Sequence, residues 1–195
     1  MQKIMFKDKY GLTDAVLKGK KTMTRRFVPT KEAKRLDSFY DSDDWDYAKQ
    51  TCIDDSAAYM IGEVVAVAQS YRTLEKEIRS LGLPLDLKEN IAKHKGYTNK
   101  MFVKASDMPH QIRITDIKIE RLHEISEEDA LKEGVYGEEV LDAKLNLCYA
   151  YTFYPPLRHY ETAREAFSHL IDKVGKKGTW DSNPWVFVYS FELVS

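Results

Sequence analysis

The sequence predicts an α+β fold: a small, mostly antiparallel β-barrel with flanking short helices. Three observations predict it. Residues 110 to 122 alternate apolar and polar side chains, as a half-buried strand does. The chain closes on an aromatic strand, Trp185 to Leu193. Short helical patterns separate these and the other strand candidates.

The elements follow in order. Leu12, Ala15 and Val16 fall at helical spacing, and Gly19 supplies the stop, so a short helix is expected over Leu12 to Lys18. Residues 20 to 28 are β-branched and aromatic, with Pro29 behind them, which predicts a strand leaving a tight turn. Residues 30 to 60 carry seven aspartates among scattered tyrosines and Trp45, and are expected to form an acidic, partly irregular insertion. Val64 to Ala68 is a short apolar run after Gly62-Glu63 and predicts a buried strand. Leu74 to Ser80 can form a helical turn or two, with connections at Gly82, Pro84 and Gly96. In the alternating strand, Ile112 and Ile114 are out of phase with Ile117 and Ile119, which places a bulge at Thr115-Asp116. Ser126-Glu-Glu-Asp129 has the form of a helix N-cap, and that helix should run to Glu133 and stop at Gly134. A second helix is expected from about Tyr160 to Lys173. In the closing strand Trp185, Phe187, Tyr189, Phe191 and Leu193 share one face.

Composition sets limits. With 195 residues, 43% hydrophobic and 31% charged, one domain over 1–195 is the expectation. The net charge of -1 argues against a uniformly basic nucleic-acid binder but leaves a local basic site open. Cys52 and Cys148 are too few for a disulfide framework or a cysteine zinc site, and fit a reducing, cytoplasmic location. No apolar run approaches the roughly 20 residues of a membrane span, and Met1 to Tyr10 interleaves Lys and Asp where a signal peptide is apolar. The five histidines show no ligand spacing with each other or with the cysteines, so no metal and no cofactor are expected.

The charge is unevenly spread. Lys18, Lys20, Lys21, Arg25 and Arg26 crowd one helix-to-strand turn together with Thr22 and Thr24. Such a turn suits an anionic or hydrogen-bonding ligand; a solvated strand edge that resists aggregation is the bland alternative. In a regular strand Lys21 and Thr24 point to opposite faces, so the two can approach only if Lys21 still lies in the turn. Glu133 is a local anomaly. A carboxylate in the last turn of a helix opposes the dipole at a cost of about 0.3 to 1 kcal/mol, and the same field favours its neutral form. The acidic stretch can be a solvated face, a phosphate mimic over the basic turn, or a weak cation site.

Gly-Lys-Lys-Thr-Met-Thr-Arg-Arg at 19 to 26 resembles the signature Gly-x-Lys-x-x-Thr-x-Arg of the ASCH domain family, which are PUA-like β-barrels. The likeness continues in family order through Gly62-Glu63, Met108-Pro109, the run Ile125 to Val135, and Trp180-Asp-x-Asn-Pro-Trp185. It looks closest to the bacterial and phage-associated members. It does not cover the insertion at 30–60 or residues 75 to 100. At Ala66-Val-Ala-Gln-Ser70 the chain departs from the Trp-Val-Arg-Glu-Thr-like run of its nearest relatives.

The resemblance implies a pocket on one side of the barrel that takes RNA or a modified nucleoside. Small bacterial members are amidohydrolases that deacylate N4-acetylcytidine. Carried over by motif, the catalytic groups are Lys21, Thr24 and Glu133, with Arg26, Thr22 and Arg25 binding substrate. A lysine serves as base only when desolvation or neighbouring cations lower its pKa from about 10.4. Thr24 would supply the hydroxyl nucleophile or orient a water. The expected function is therefore deacylation of an acylated pyrimidine nucleoside or related small amide. The alternative is a non-catalytic RNA- or nucleotide-binding module. The expected partner is a nucleoside or short single-stranded RNA, not a membrane and not a long DNA duplex.

Overall fold

The computed structural model describes residues 1–80, 91–141, 144–156 and 158–194. Its centre is a pair of long antiparallel strands, β4 (Gln111–Arg121) and β7 (Trp185–Leu193). On one side β4 pairs with β3 (Val64–Val67), which pairs in parallel with β1 (Lys3–Ile4). On the other side β7 pairs with β2 (Met23–Phe27), giving the order β1-β3-β4-β7-β2. Among the described residues six α-helices complete the α+β architecture: α1 (Leu12–Leu17), α2 (Thr30–Phe39), α3 (Trp45–Ser56), α4 (Tyr71–Ser80), α5 (Glu127–Lys132) and α6 (Ala163–Val174).

The bulge lies where the phase slip placed it. Ile114 faces Phe191 and Asp116 faces Ser190, so Thr115 is the extra residue, and the isoleucines on either side all remain in the core. In β7 both faces are covered, not one: Val186 and Val188 are as buried as Trp185, Phe187 and Tyr189, with Trp45 of α3 packed on Trp185 from one face and Arg25, the β2 partner of Val188, lying over Phe167 of α6 on the other. Leu193, at the end of the strand, is partly exposed.

The sheet does not close into a barrel among the described residues. Strands β1 and β2 are its two edges, and no ladder joins them. Strand β1 has two residues, and after Ile4 the chain runs on as Met5-Phe6-Lys7 without pairing to β2. A side chain crosses the seam instead: the Arg26 guanidinium donates a 2.7 Å hydrogen bond to the Met5 carbonyl and lies over the Phe6 ring.

The acidic stretch corrects the expectation of irregular structure. It forms α2 and α3, a helical pair whose Leu36 and Cys52 belong to the main core and whose Ala48 is buried as well. Trp45, at the start of α3, packs 5.2 Å from the Trp185 ring, and Tyr40 packs against both. Anchors as small as Ala48 and Cys52 give little hydrophobic contrast, which is why the helical period is faint in the sequence.

A hairpin of β5 (Tyr136–Leu141) and β6 (Leu147–Thr152) was not anticipated; most of its residues are exposed or half-buried. Helix α6 begins at Ala163, with Thr162 as its N-cap accepting from the Glu165 amide, and not at Tyr160, which bridges to Tyr151. Helix α4 begins at Tyr71, three residues before the expected start. Gly82 and Pro84 lie outside the described residues. No helix among those described is long and apolar enough to cross a membrane.

Candidate active site

A cavity of about 440 Å³ opens at the seam between the two sheet edges, within the range of small-molecule pockets. Met5, Phe6 and Lys7 line it from one edge and Thr24, Arg25, Arg26 and Phe27 from the other. Lys21 and Glu133 meet at its base, and the apolar side of α6, Phe167 to Val174, forms a wall. The cavity sits where a closing ladder would otherwise run. Because β2 is an edge strand, both of its faces can reach the opening.

The position of Lys21 follows from the turn after α1. Gly19 takes a left-handed φ of 66°, and the Lys20 and Lys21 amides both donate to the Ala15 carbonyl. The turn therefore lasts past Lys21, and β2 begins only at Met23. The geometric condition for Lys21 to share a side with Thr24 is met. The Thr22 amide donates to the Lys132 carbonyl and its own carbonyl accepts from Phe191, so the turn is pinned to the end of α5 and to β7.

Glu133 caps the C-terminus of α5, whose start is fixed by Ser126 accepting from the Asp129 amide. Gly134 follows with φ 104°; a Cβ there would stand 3.0 Å from Leu12 and 3.7 Å from the Lys21 side chain, so the close approach needs glycine. The anomaly of a carboxylate at this helix end is resolved by its partners. Lys21 Nζ donates to Glu133 Oε2 at 2.5 Å and to the Glu133 backbone carbonyl at 2.7 Å, while Arg25 Nη1 donates to Oε1 at 3.1 Å. Two cations thus offset both the carboxylate and the negative end of the dipole.

Lys21 is 2% exposed, and its third hydrogen bond goes to the Met23 carbonyl at 2.7 Å. Burial lowers its pKa from the ordinary lysine value; Glu133 opposes this, and Arg26 and Arg25 add to it. Desolvation prevails, so the amine is a stronger acid than a surface lysine.

Thr24 is buried against the cavity, and its hydroxyl makes no hydrogen bond among the described residues. Arg26 and Lys7 make no ion pair among the described residues, leaving the opening cationic. Lys100, also at the wall, pairs with Asp8.

The structure thus brings Lys21, Thr24, Arg25, Arg26 and Glu133 to one cavity. Thr22 is not among its lining residues: it precedes β2 and is held by its backbone, as described above. Arg25 lines the cavity, yet its guanidinium is engaged with protein carboxylates. Burial works to lower its pKa, and Glu133 and Glu120 outweigh that and raise it. Sequence reasoning missed Glu120 and Asp129. Glu120 could have been found as an acid that β4 turns, with Asp116, to the same face as Arg25, since Arg25 and Lys118 both stand opposite Val188 and Glu120 is two residues on. Asp129 was read only as part of a helix start.

Compared with family models, with curated proteins and with solved structures, the chain matches none of them.

Proposed function

We propose that this protein is an ASCH-type amidohydrolase that deacylates an acylated pyrimidine nucleoside of the N4-acetylcytidine kind, or a related small amide. On this reading the curled sheet is a PUA-like barrel whose seam is held apart by the substrate site. One observation carries the proposal: the Lys21 amine, the Thr24 hydroxyl and the Glu133 carboxylate line one cavity, with amine and carboxylate in direct contact.

Amide hydrolysis needs an attacking oxygen, a base to take its proton, donors for the oxyanion, and a proton for the leaving nitrogen. Two hydrogens of the Lys21 amine are committed to backbone carbonyls, and the third lies between Lys21 and Glu133. The proton in play is therefore the one this pair shares. With Lys21 neutral the pair lacks that proton: water attacks the acyl carbon and its proton takes the shared position, the new C–O bond forms, the C–N bond breaks, and the pair returns the proton to the departing amine. With no base hydrogen-bonded to it among the described residues, Thr24 suits orienting that water or donating to the oxyanion better than attacking directly. Arg26, without a carboxylate partner, suits a carbonyl oxygen of the pyrimidine.

The second reading is a non-catalytic module for a nucleotide or short single-stranded RNA. It is favoured by the unpaired Arg26 and Lys7 and by Phe27, 51% exposed at the rim, where a base could stack. Incubation with N4-acetylcytidine, followed by acetate release, separates the two. Turnover supports the enzyme. Failure to turn over any acylated nucleoside, with salt-sensitive RNA binding, supports the module.

A further inference from the structure

The site pair continues into a buried chain of charges that the reaction itself does not use. Arg25 donates to Glu133 Oε1 at 3.1 Å on one side. On the other, its Nε and Nη2 hold Glu120 Oε1 at 3.1 and 2.5 Å, and Nη2 reaches Asp129 Oδ2 at 3.4 Å. Lys118 Nζ then bridges Glu120 Oε2 at 2.9 Å and Asp129 Oδ2 at 3.3 Å, and Lys132 Nζ meets Asp129 Oδ1 at 3.2 Å. The chain runs from a fully buried end at Lys21 to two half-exposed lysines at the surface. Signs alternate at every link.

Without Lys21, three carboxylates (Glu120, Asp129, Glu133) stand against three cations (Arg25, Lys118, Lys132), and the set is neutral. A proton on Lys21 therefore gives the cluster a net positive charge. We propose that Glu120 and Asp129 are positioning residues which, through Arg25, fix the Glu133 carboxylate against Lys21, and that the alternating charges of the cluster, out to Lys132, set the proton occupancy of Lys21. The proposal deepens the hydrolase reading and rests on it only for the use to which the neutral amine is put.

The surroundings of Lys21 agree with this balance. From β2 it meets Arg25 and Arg26, and from α5 and its end Glu133, with Asp129 and Lys132 behind. From β4 come Glu120 and Lys118, through Arg25. Lys7 and Lys100 line the same cavity, Lys100 held by Asp8, and α6 contributes apolar groups there, Phe167, Leu170, Ile171 and Val174. The Phe6 ring lies 5.8 Å from the amine. Among the described residues Glu133 is thus the only carboxylate bonded to Lys21, and the rest of the negative charge reaches it through Arg25.

The test reads Lys21 itself. The amine is titrated by NMR on protein carrying 15N-lysine, in the wild type, in Glu120→Gln and in Lys132→Met, with no substrate present. Glu120→Gln removes a negative charge, so the neutral fraction of Lys21 at a fixed pH on its titration curve should rise at least about threefold; Lys132→Met removes a positive charge from the exposed end and should lower it. Lys132→Met keeps the test decisive should Glu120→Gln not fold. Titration of Lys21 that is the same in every folded variant overturns the proposal. Because no turnover is needed, the outcome is distinguishable from that of the hydrolase reading: opposite displacements with no deacylation refute the enzyme alone, and deacylation with no displacement refutes the positioning network alone.

Discussion

Lys21 and Glu133, 112 residues apart in the chain, meet through a 2.5 Å contact between a buried amine and a buried carboxylate. Such a pair is costly to desolvate, and here it lies against a cavity, where the proposed hydrolysis would draw on its shared proton. Its energetics make the first prediction. Lys21→Met keeps the length of the side chain but leaves Glu133 with Arg25 alone, and should lower stability by about 3 kcal/mol in urea unfolding. A loss below a few tenths of a kcal/mol would mean that the pair is solvated in solution.

The same residue sets a pH dependence. The folded-state pKa of Lys21 lies below the unfolded value of 10.5, so between the two the unfolded chain binds more protons. Stability should therefore rise with pH across that window as the folded amine sheds its charge, and the rise should be absent from Lys21→Met. Unfolding curves of the two proteins, compared at successive pH values, check the sign.

Cys52 acts in the opposite direction. Burial, with Glu32 nearby, pushes its thiol up to about 11, against 9.0 for an ordinary cysteine. Its contribution to stability is complete below pH 9.0 and is lost as pH rises towards about 11, a loss that Cys52→Ala should lack. At pH 8 a thiol reagent should label exposed Cys148 and spare Cys52 until denaturant is added. Equal labelling of both in the native protein would show that α3 opens freely.

Thr24 and Arg26 separate chemistry from architecture. The Thr24 hydroxyl has no partner to lose, so Thr24→Ala should cost under about 1 kcal/mol of stability and yet lower turnover about a hundredfold, with Thr24→Ser restoring most of it. Arg26→Ala removes the side chain that crosses from β2 to the Met5 carbonyl, and should raise KM and speed amide exchange in residues 3 to 6. Unchanged exchange would show that the seam is held by other contacts.

Much of this was legible in the sequence because it depended on local rules. The stop at Gly19, the Ser126 cap and the slip at Thr115 each follow from a few neighbouring residues, and each lies where those residues place it. The turn through Lys21 was legible as a condition. The helices of the acidic stretch were not, because small anchors such as Ala48 and Cys52 and the packing of Trp45 against Trp185 depend on what the rest of the fold presents. The open seam was not legible either: nothing in Lys3-Ile4-Met5-Phe6 shows that pairing ends after two residues. Glu120 and Asp129 look like ordinary polar positions on a strand and at a helix start. The register of β4 against β7, and of β7 against β2, brings Glu120 to Arg25, and the packing of α5 against β2 brings Asp129 there.

The central claim is that Lys21 and Glu133 carry out amide hydrolysis in the seam cavity, and acetate release from N4-acetylcytidine tests it most directly. The wild type should release acetate over many turnovers, and Lys21→Ala and Glu133→Ala, each verified as folded, should release it at least about a hundredfold more slowly. Release at the wild-type rate by either folded variant, or no release by the wild type from this or any other acylated nucleoside, would contradict it.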